Sequence, residues 1–114
     1  MASSKEYLVF ILEQLSQVDH ISWRAMMGEY ILYRRGKIVG GLYDDRFLVK
    51  PTKTAVAMMP DAVWEAPYPG AKEMLLVPDV DDKNFLKALL DGMDAELPAP
   101  KNNARPSGAP QNDR

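Results

Sequence analysis

MMGEYILYRRGKIVGGLYDDRFLVKP, residues 26–51, contains four of the chain's seven glycines and a back-to-back acid pair, Asp44-Asp45. Tyr30-Ile31-Leu32-Tyr33 and Ile38-Val39-Gly40-Gly41-Leu42-Tyr43 are rich in β-branched and aromatic residues. Arg34-Arg35-Gly36-Lys37 joins them as a short loop, with glycine where a positive φ is wanted. A third run, Arg46 to Lys50, follows directly across Asp44-Asp45. Three strands therefore make a meander. Ahead of them Ile21 to Met26 reads as a further short strand, interrupted at Gly28.

Helical signals lie on either side of this stretch. Ser3-x-x-Glu6 is a capping-box pattern, and Leu8, Ile11, Leu12, Leu15 and Val18 follow at helical spacing, predicting a helix over 4–18. After the meander, Pro51-Thr52 offers a break and an N-cap, and Ala55 to Met59 supplies a turn or two of helix until Pro60 stops it. Residues 60–72 hold Pro60, Pro67, Pro69 and Gly70 around Trp64 and Tyr68, a loop too apolar to hang free. Glu73 to Val77 reads as a strand ended by Pro78. Asp81 or Asp82 then caps a last helix carrying Phe85, Leu86, Leu89, Leu90 and Met93. The domain spans 1–97, and residues 98–114, with four prolines and no large apolar side chain, read as a flexible tail. The order α–β–β–β–β–α–β–α predicts an α+β two-layer sandwich with a mainly antiparallel sheet. Tyr30 and Leu32 mark one apolar face of the central strand and Ile31 and Tyr33 the other. Helices cover only one face, so the second needs either loop 60–72 or another copy of the chain.

With 114 residues, 46% hydrophobic and 26% charged, the composition is that of a single soluble globular domain. The absence of cysteine excludes disulfides, thiolate metal sites, Fe–S clusters and thiol nucleophiles. The N-terminal segment lacks the basic leader and cleavage site of a signal peptide, and no apolar run approaches a membrane span, so the expected location is the cytoplasm. The net charge of −2 conceals a division: seven Lys/Arg against three acids between Arg24 and Lys53, and three Lys against nine acids between Thr54 and Leu97. Two such surfaces would make an electrostatic dipole.

Asp44-Asp45 fits a tight turn better than an ion or proton site, because adjacent carboxylates on a two-residue loop diverge. His20 is the only histidine and has neither a metal co-ligand nor a triad signature. Gly36, Gly40 and Gly41 belong to no phosphate-loop pattern. The expectation is a protein without catalytic residues, cofactor or metal. The candidate interaction residues are Arg24, Met27, Tyr30, Arg34, Arg35, Lys37, Tyr43, Arg46, Lys50, Trp64, Tyr68 and Lys72, which mix cations with stacking side chains.

Met26-Met27-Gly28-Glu29-Tyr30, Gly36, Asp44-Asp45 and Leu48-Val49-Lys50, taken with YPGAKEMLLVPDVDDKNFLKALL at 68–90, resemble the N-terminal domain of the TfoX/Sxy competence-regulator family. The resemblance runs over residues 4–97 and rests on the order and spacing of these elements. It departs at Glu29, where many relatives place glycine. It implies an α+β fold grouped with secretion-chaperone-like domains, action through protein contacts, and no established catalytic residue. Better-studied members are bacterial positive regulators of competence genes that work beside a global transcription activator, and most carry a second helical domain. The leading expectation is thus a non-enzymatic interaction module that forms a homodimer or binds a regulatory protein. The alternatives are a nucleic-acid accessory factor using the basic 24–53 meander, and a small-molecule binder or enzyme with a pocket beneath loop 60–72.

Overall fold

The computed structural model describes residues 3–98. All of the predicted tail except Pro98 lies outside the described residues. The first half of the domain is set by three successive two-residue turns. Strands β1 (Ile21–Met26), β2 (Glu29–Arg34), β3 (Lys37–Leu42) and β4 (Phe47–Val49) follow one another as antiparallel neighbours. Met26 pairs with Glu29 across Met27-Gly28, and Arg34 with Lys37 across Arg35-Gly36. Tyr43 and Arg46 exchange both backbone hydrogen bonds, 2.9 and 3.1 Å, across Asp44-Asp45. All six turn residues have positive φ, from 52° to 87°. Two left-handed residues in a two-residue loop is the I′ arrangement, whose twist matches that of the strands it joins. Asp reaches this conformation more readily than most residues with a Cβ, which accounts for the acid pair.

Three helices and two more strands complete the domain: α1 (Lys5–Gln14), α2 (Lys53–Met58), β5 (Trp64–Glu65), β6 (Met74–Leu76) and α3 (Lys83–Asp94). The sheet order is β1-β2-β3-β4-β6-β5, with every neighbouring pair antiparallel. The expected α+β order is found, with β5 as a short addition inside the 60–72 loop. Leu8 and Ile11 of α1, Ala55 of α2, and Leu86, Leu89, Leu90 and Met93 of α3 pack with Leu32, Leu42, Phe47, Val49 and Leu75 of the sheet as one core. Thr52 and Asp82 cap α2 and α3 through bonds accepted from Ala55 N and Phe85 N.

The first helix differs from its prediction at both ends. Ser4, not Ser3, is the N-cap, its Oγ accepting from Tyr7 N at 3.0 Å. Ser3 is drawn instead into tertiary bonds. The helix stops at Gln14 because the chain tightens into i→i−3 bonds, Ser16 N to Glu13 O and Val18 N to Leu15 O, before His20 turns it at φ 60°. Leu15 and Val18 stay in the core although they lie past the helix end.

The outer sheet face is closed in part from within the chain, Ile38 beside Tyr33 staying 40% exposed. Leu48 is 0% exposed there, and Tyr33 and Tyr43 are also buried, although none of the three belongs to the helix-side core. The Tyr43 ring lies over Gly41. Pro67 is buried, and residues 66–69 form one wall of a cleft whose other wall is Glu29, Asp44 and Arg46. Residues 66–69 of the loop thus supply part of the cover expected for this face.

Gly40 is required by close approach of the chain to itself. A Cβ at Gly40 would lie 2.0 Å from Leu48 O and 2.7 Å from Val49 Cα on the adjoining strand. Neither is the end of a flexible side chain, so β3 and β4 would have to separate. Gly40→Ala is expected to cost more than about 3 kcal/mol, beyond the usual range for an overpacked methyl, in urea unfolding. Retention of the wild-type midpoint would contradict the strand spacing described here.

Candidate functional site

Arg34 is the last residue of β2, and alternation from Leu32 turns it toward the helices. Its side chain is 5% exposed. One guanidinium nitrogen donates to Asp19 Oδ1 at 2.6 Å, just past α1, and the other to Asp91 Oδ1 at 2.7 Å, on α3. Burial acts to lower the Arg34 pKa, but the two carboxylates outweigh it and the net direction is upward. The clamp has a rim. Arg35 reaches Asp19 and Asp94, Lys37 Nζ lies 3.0 Å from Asp94 Oδ1 and donates to the Asp94 carbonyl at 2.6 Å, and Lys87 pairs with Asp91. Arg46 is paired with Glu65 of β5 and donates from Nε to the Tyr43 carbonyl.

The basic surface expected from the sequence is therefore not assembled. Arg34, Arg35, Lys37 and Arg46 are each held against an acid. Arg34 leaves the set of contact residues altogether, since no face of it is free. The expected charge dipole is also revised: Asp91, Asp94 and Glu65 from the acidic half neutralise the basic half inside one molecule. Arg24 and Lys72 are exposed and Lys50 half-buried, without an ion pair among the described residues. The acid partners were missed because pairing between residues 15 and 57 positions apart leaves no local pattern.

A second polar cluster locks the start of α1 to two of the turns. Buried Ser3 donates from N and Oγ to Glu29 Oε1, both at 3.0 Å, and from N to Gly28 O, while its Oγ accepts from Asp45 N. Glu29 Oε1 also accepts from Asp44 N at 3.1 Å, and Asp45 Oδ1 accepts from Ser4 N at 2.8 Å. Glu29 thus has a structural role. Asp44 and Asp45 serve as turn residues and anchors.

Concavities are also present among the described residues. The cleft between the 66–69 segment and Glu29, Asp44 and Arg46 encloses about 420 Å³ and is walled by Tyr68. Tyr43 lies beside it, its hydroxyl raised in pKa by burial and by the nearness of Tyr68, Glu29 and Tyr33. A second groove of about 320 Å³ is mainly apolar, with Met58, Val63, Leu76 and Phe85 in its walls. Tyr30 faces the helix side and meets Trp23 edge-on, ring centres 5.6 Å apart. Met27, 95% exposed, stands at the β1–β2 turn, and Trp64 is 47% exposed on β5. Tyr68 is exposed on its loop. The twelve candidates are thus dispersed over a buried clamp, a cleft and the two sheet edges, with Tyr30, Lys50 and Lys72 at none of these. No helix among the described residues is long and apolar enough to cross a membrane.

The fold and the clamp define a small antiparallel α+β domain in which charged side chains mostly serve assembly. The chain is 36% identical over 102 residues, 89% of each protein, to the "Uncharacterized 12.7 kDa protein in trpE 5'region" of Spirochaeta aurantia, and it belongs to that protein's family. No family model and no solved structure matches the chain.

Asp19 supplies a pH test. Its hydrogen bond from Arg34, helped by His20 and Arg35, lowers its pKa from 3.8 to about 2. A folded-state pKa below the unfolded one adds stability that is fully present above the unfolded value and is lost as pH falls through the folded one. In urea unfolding, wild type should exceed Asp19→Asn at pH 6, and the gap should narrow between pH 4 and pH 2. A gap that is constant with pH would remove the clamp's electrostatic role.

Proposed function

We propose that this domain is a non-enzymatic protein-interaction module of the TfoX/Sxy N-terminal kind, an accessory in transcriptional regulation that works through contacts along its sheet edges. One observation carries the reading. Of the eight large apolar residues left exposed among those described, four sit at the two sheet edges: Met26 and Met27 at the end of β1, and Val63 and Trp64 at β5. Exposed aromatic and methionine side chains of this sort are favoured as contact anchors. Arg34, Arg35, Lys37 and Arg46, by contrast, are taken up in pairs that hold elements together, which leaves a nucleic-acid surface with Arg24, Lys50, Lys53 and Lys72 scattered rather than gathered.

The test is affinity purification from the native cell with wild type and Trp64→Ala as baits. Truncating an anchoring Trp costs about 2 kcal/mol or more, roughly thirtyfold in affinity, so proteins retained by wild type should be depleted by the variant. Equal recovery with both baits and with Met27→Ser would reject contact through the edges.

A second reading rests on the 420 Å³ cleft, which lies in the size range of small-ligand sites. Glu29, Asp44 and Tyr68 on its walls suit a cationic ligand, the cation of the lining, Arg46, being paired with Glu65. A thermal-shift screen with aliphatic and aromatic amines should raise the melting temperature of wild type but not of Tyr68→Ala. No shift with any amine would remove this reading.

A further inference from the structure

The β1 edge is a ready template for a further strand. Met26 and Glu29 flank a two-residue turn, so they form a hydrogen-bonded pair, and alternation makes Arg24 and Ser22 the next residues bonded to β2. His20 continues the series, its carbonyl accepting from Arg35 N at 3.0 Å. The backbone N–H and C=O groups of Ile21, Trp23 and Ala25 therefore point away from the sheet. Among the described residues none of them makes a hydrogen bond. Of the devices that normally blunt such an edge β1 has one exposed charge, Arg24, but no proline, no lysine and no register shift against β2. The opposite edge, β5, has only two residues.

We propose that β1 pairs antiparallel with β1 of a second copy of this chain, about a two-fold axis at Trp23, joining two sheets into one of twelve strands. The inference rests on the edge-contact reading above and names its partner. The occupant follows from self-complementarity. With Trp23 opposite Trp23 of the other copy, every outward-facing residue meets an outward-facing one, Ile21 with Ala25 and Ala25 with Ile21. Arg24, the only charged residue of the strand, then lies across from Ser22. Moving the two-fold axis to Arg24 places Arg24 on Arg24, a like-charge pair that opposes association, and moving it to Ser22 takes Ile21 and Ala25 out of register with each other. The half-buried Trp23 rings, each already held by Tyr30, would meet on the helix side of the joint.

The absence of cysteine gives a clean test of both the edge and the register. Ser22 and Arg24 of opposite copies would form a non-hydrogen-bonded antiparallel pair, with Cα atoms about 4.5 Å apart, within disulfide reach. Ser22→Cys and Arg24→Cys, mixed and mildly oxidised, should give a covalent dimer at least about tenfold faster than either variant alone. Ala25→Pro removes only an outward N–H and leaves the β1–β2 ladder intact. It should run as a monomer by light scattering where wild type runs as a dimer, with an unchanged far-UV spectrum. A wild-type monomer at tens of micromolar overturns the proposal, as does a dimer that forms without the mixed disulfide. In the first case retention of other proteins by the wild-type bait would leave the edge-contact reading standing; loss of that retention as well would end both.

Discussion

Two residues are the shortest link that reverses an antiparallel strand, and three such links in succession leave the first four strands no freedom of register. Everything else in the domain depends on that. The Arg35-Gly36 turn puts Arg34 at the end of β2 on the helix side, where Asp19 and Asp91 can reach it. The Asp44-Asp45 turn presents its N–H groups to Ser3 and Glu29, which fixes where α1 begins. A slip of one residue would send Arg34 to the outer face and Tyr33 into the core, and both anchors would be lost.

A buried guanidinium is costly, and here the cost is offset by the geometry of its partners. Asp19 and Asp91 lie at the protein's surface, 58% and 41% exposed, so they keep much of their hydration while they neutralise Arg34 beneath them. The arrangement joins the exit of α1, the β2–β3 hairpin and α3. It also draws Asp91 and Asp94 of the acidic half onto the basic half, while Arg24 on one side and Asp61, Glu73, Asp79 and Asp81 on the other stay exposed.

The turns were legible in the sequence because their chemistry is local: Gly36 follows Arg35, and two aspartates sit between runs of strand-forming residues. So was the α+β order, since Leu86, Leu89, Leu90 and Met93 repeat at helical spacing and Tyr30 to Tyr33 do not. The end of α1 was not, because Leu15 and Val18 keep the helical spacing and remain buried after the backbone has left the helix. Nor could β5 be read, a two-residue strand that exists only because Leu76 N finds Val63 O. The candidate site was the least legible. Arg34 and Arg24 look alike in the sequence, yet one is walled in by acids 15 and 57 positions away and the other stands in water.

The long reach of the clamp has a bearing on how the chain is made. While the polypeptide leaves the ribosome, the hairpins can close as soon as each turn has emerged, and α1 can dock once Asp45 is out. Arg34 must wait for a carboxylate that arrives 57 residues after it. Until then Arg34 has Asp19 as its one carboxylate partner, on the very surface the last helix will cover, so completion of the clamp is tied to synthesis of that helix.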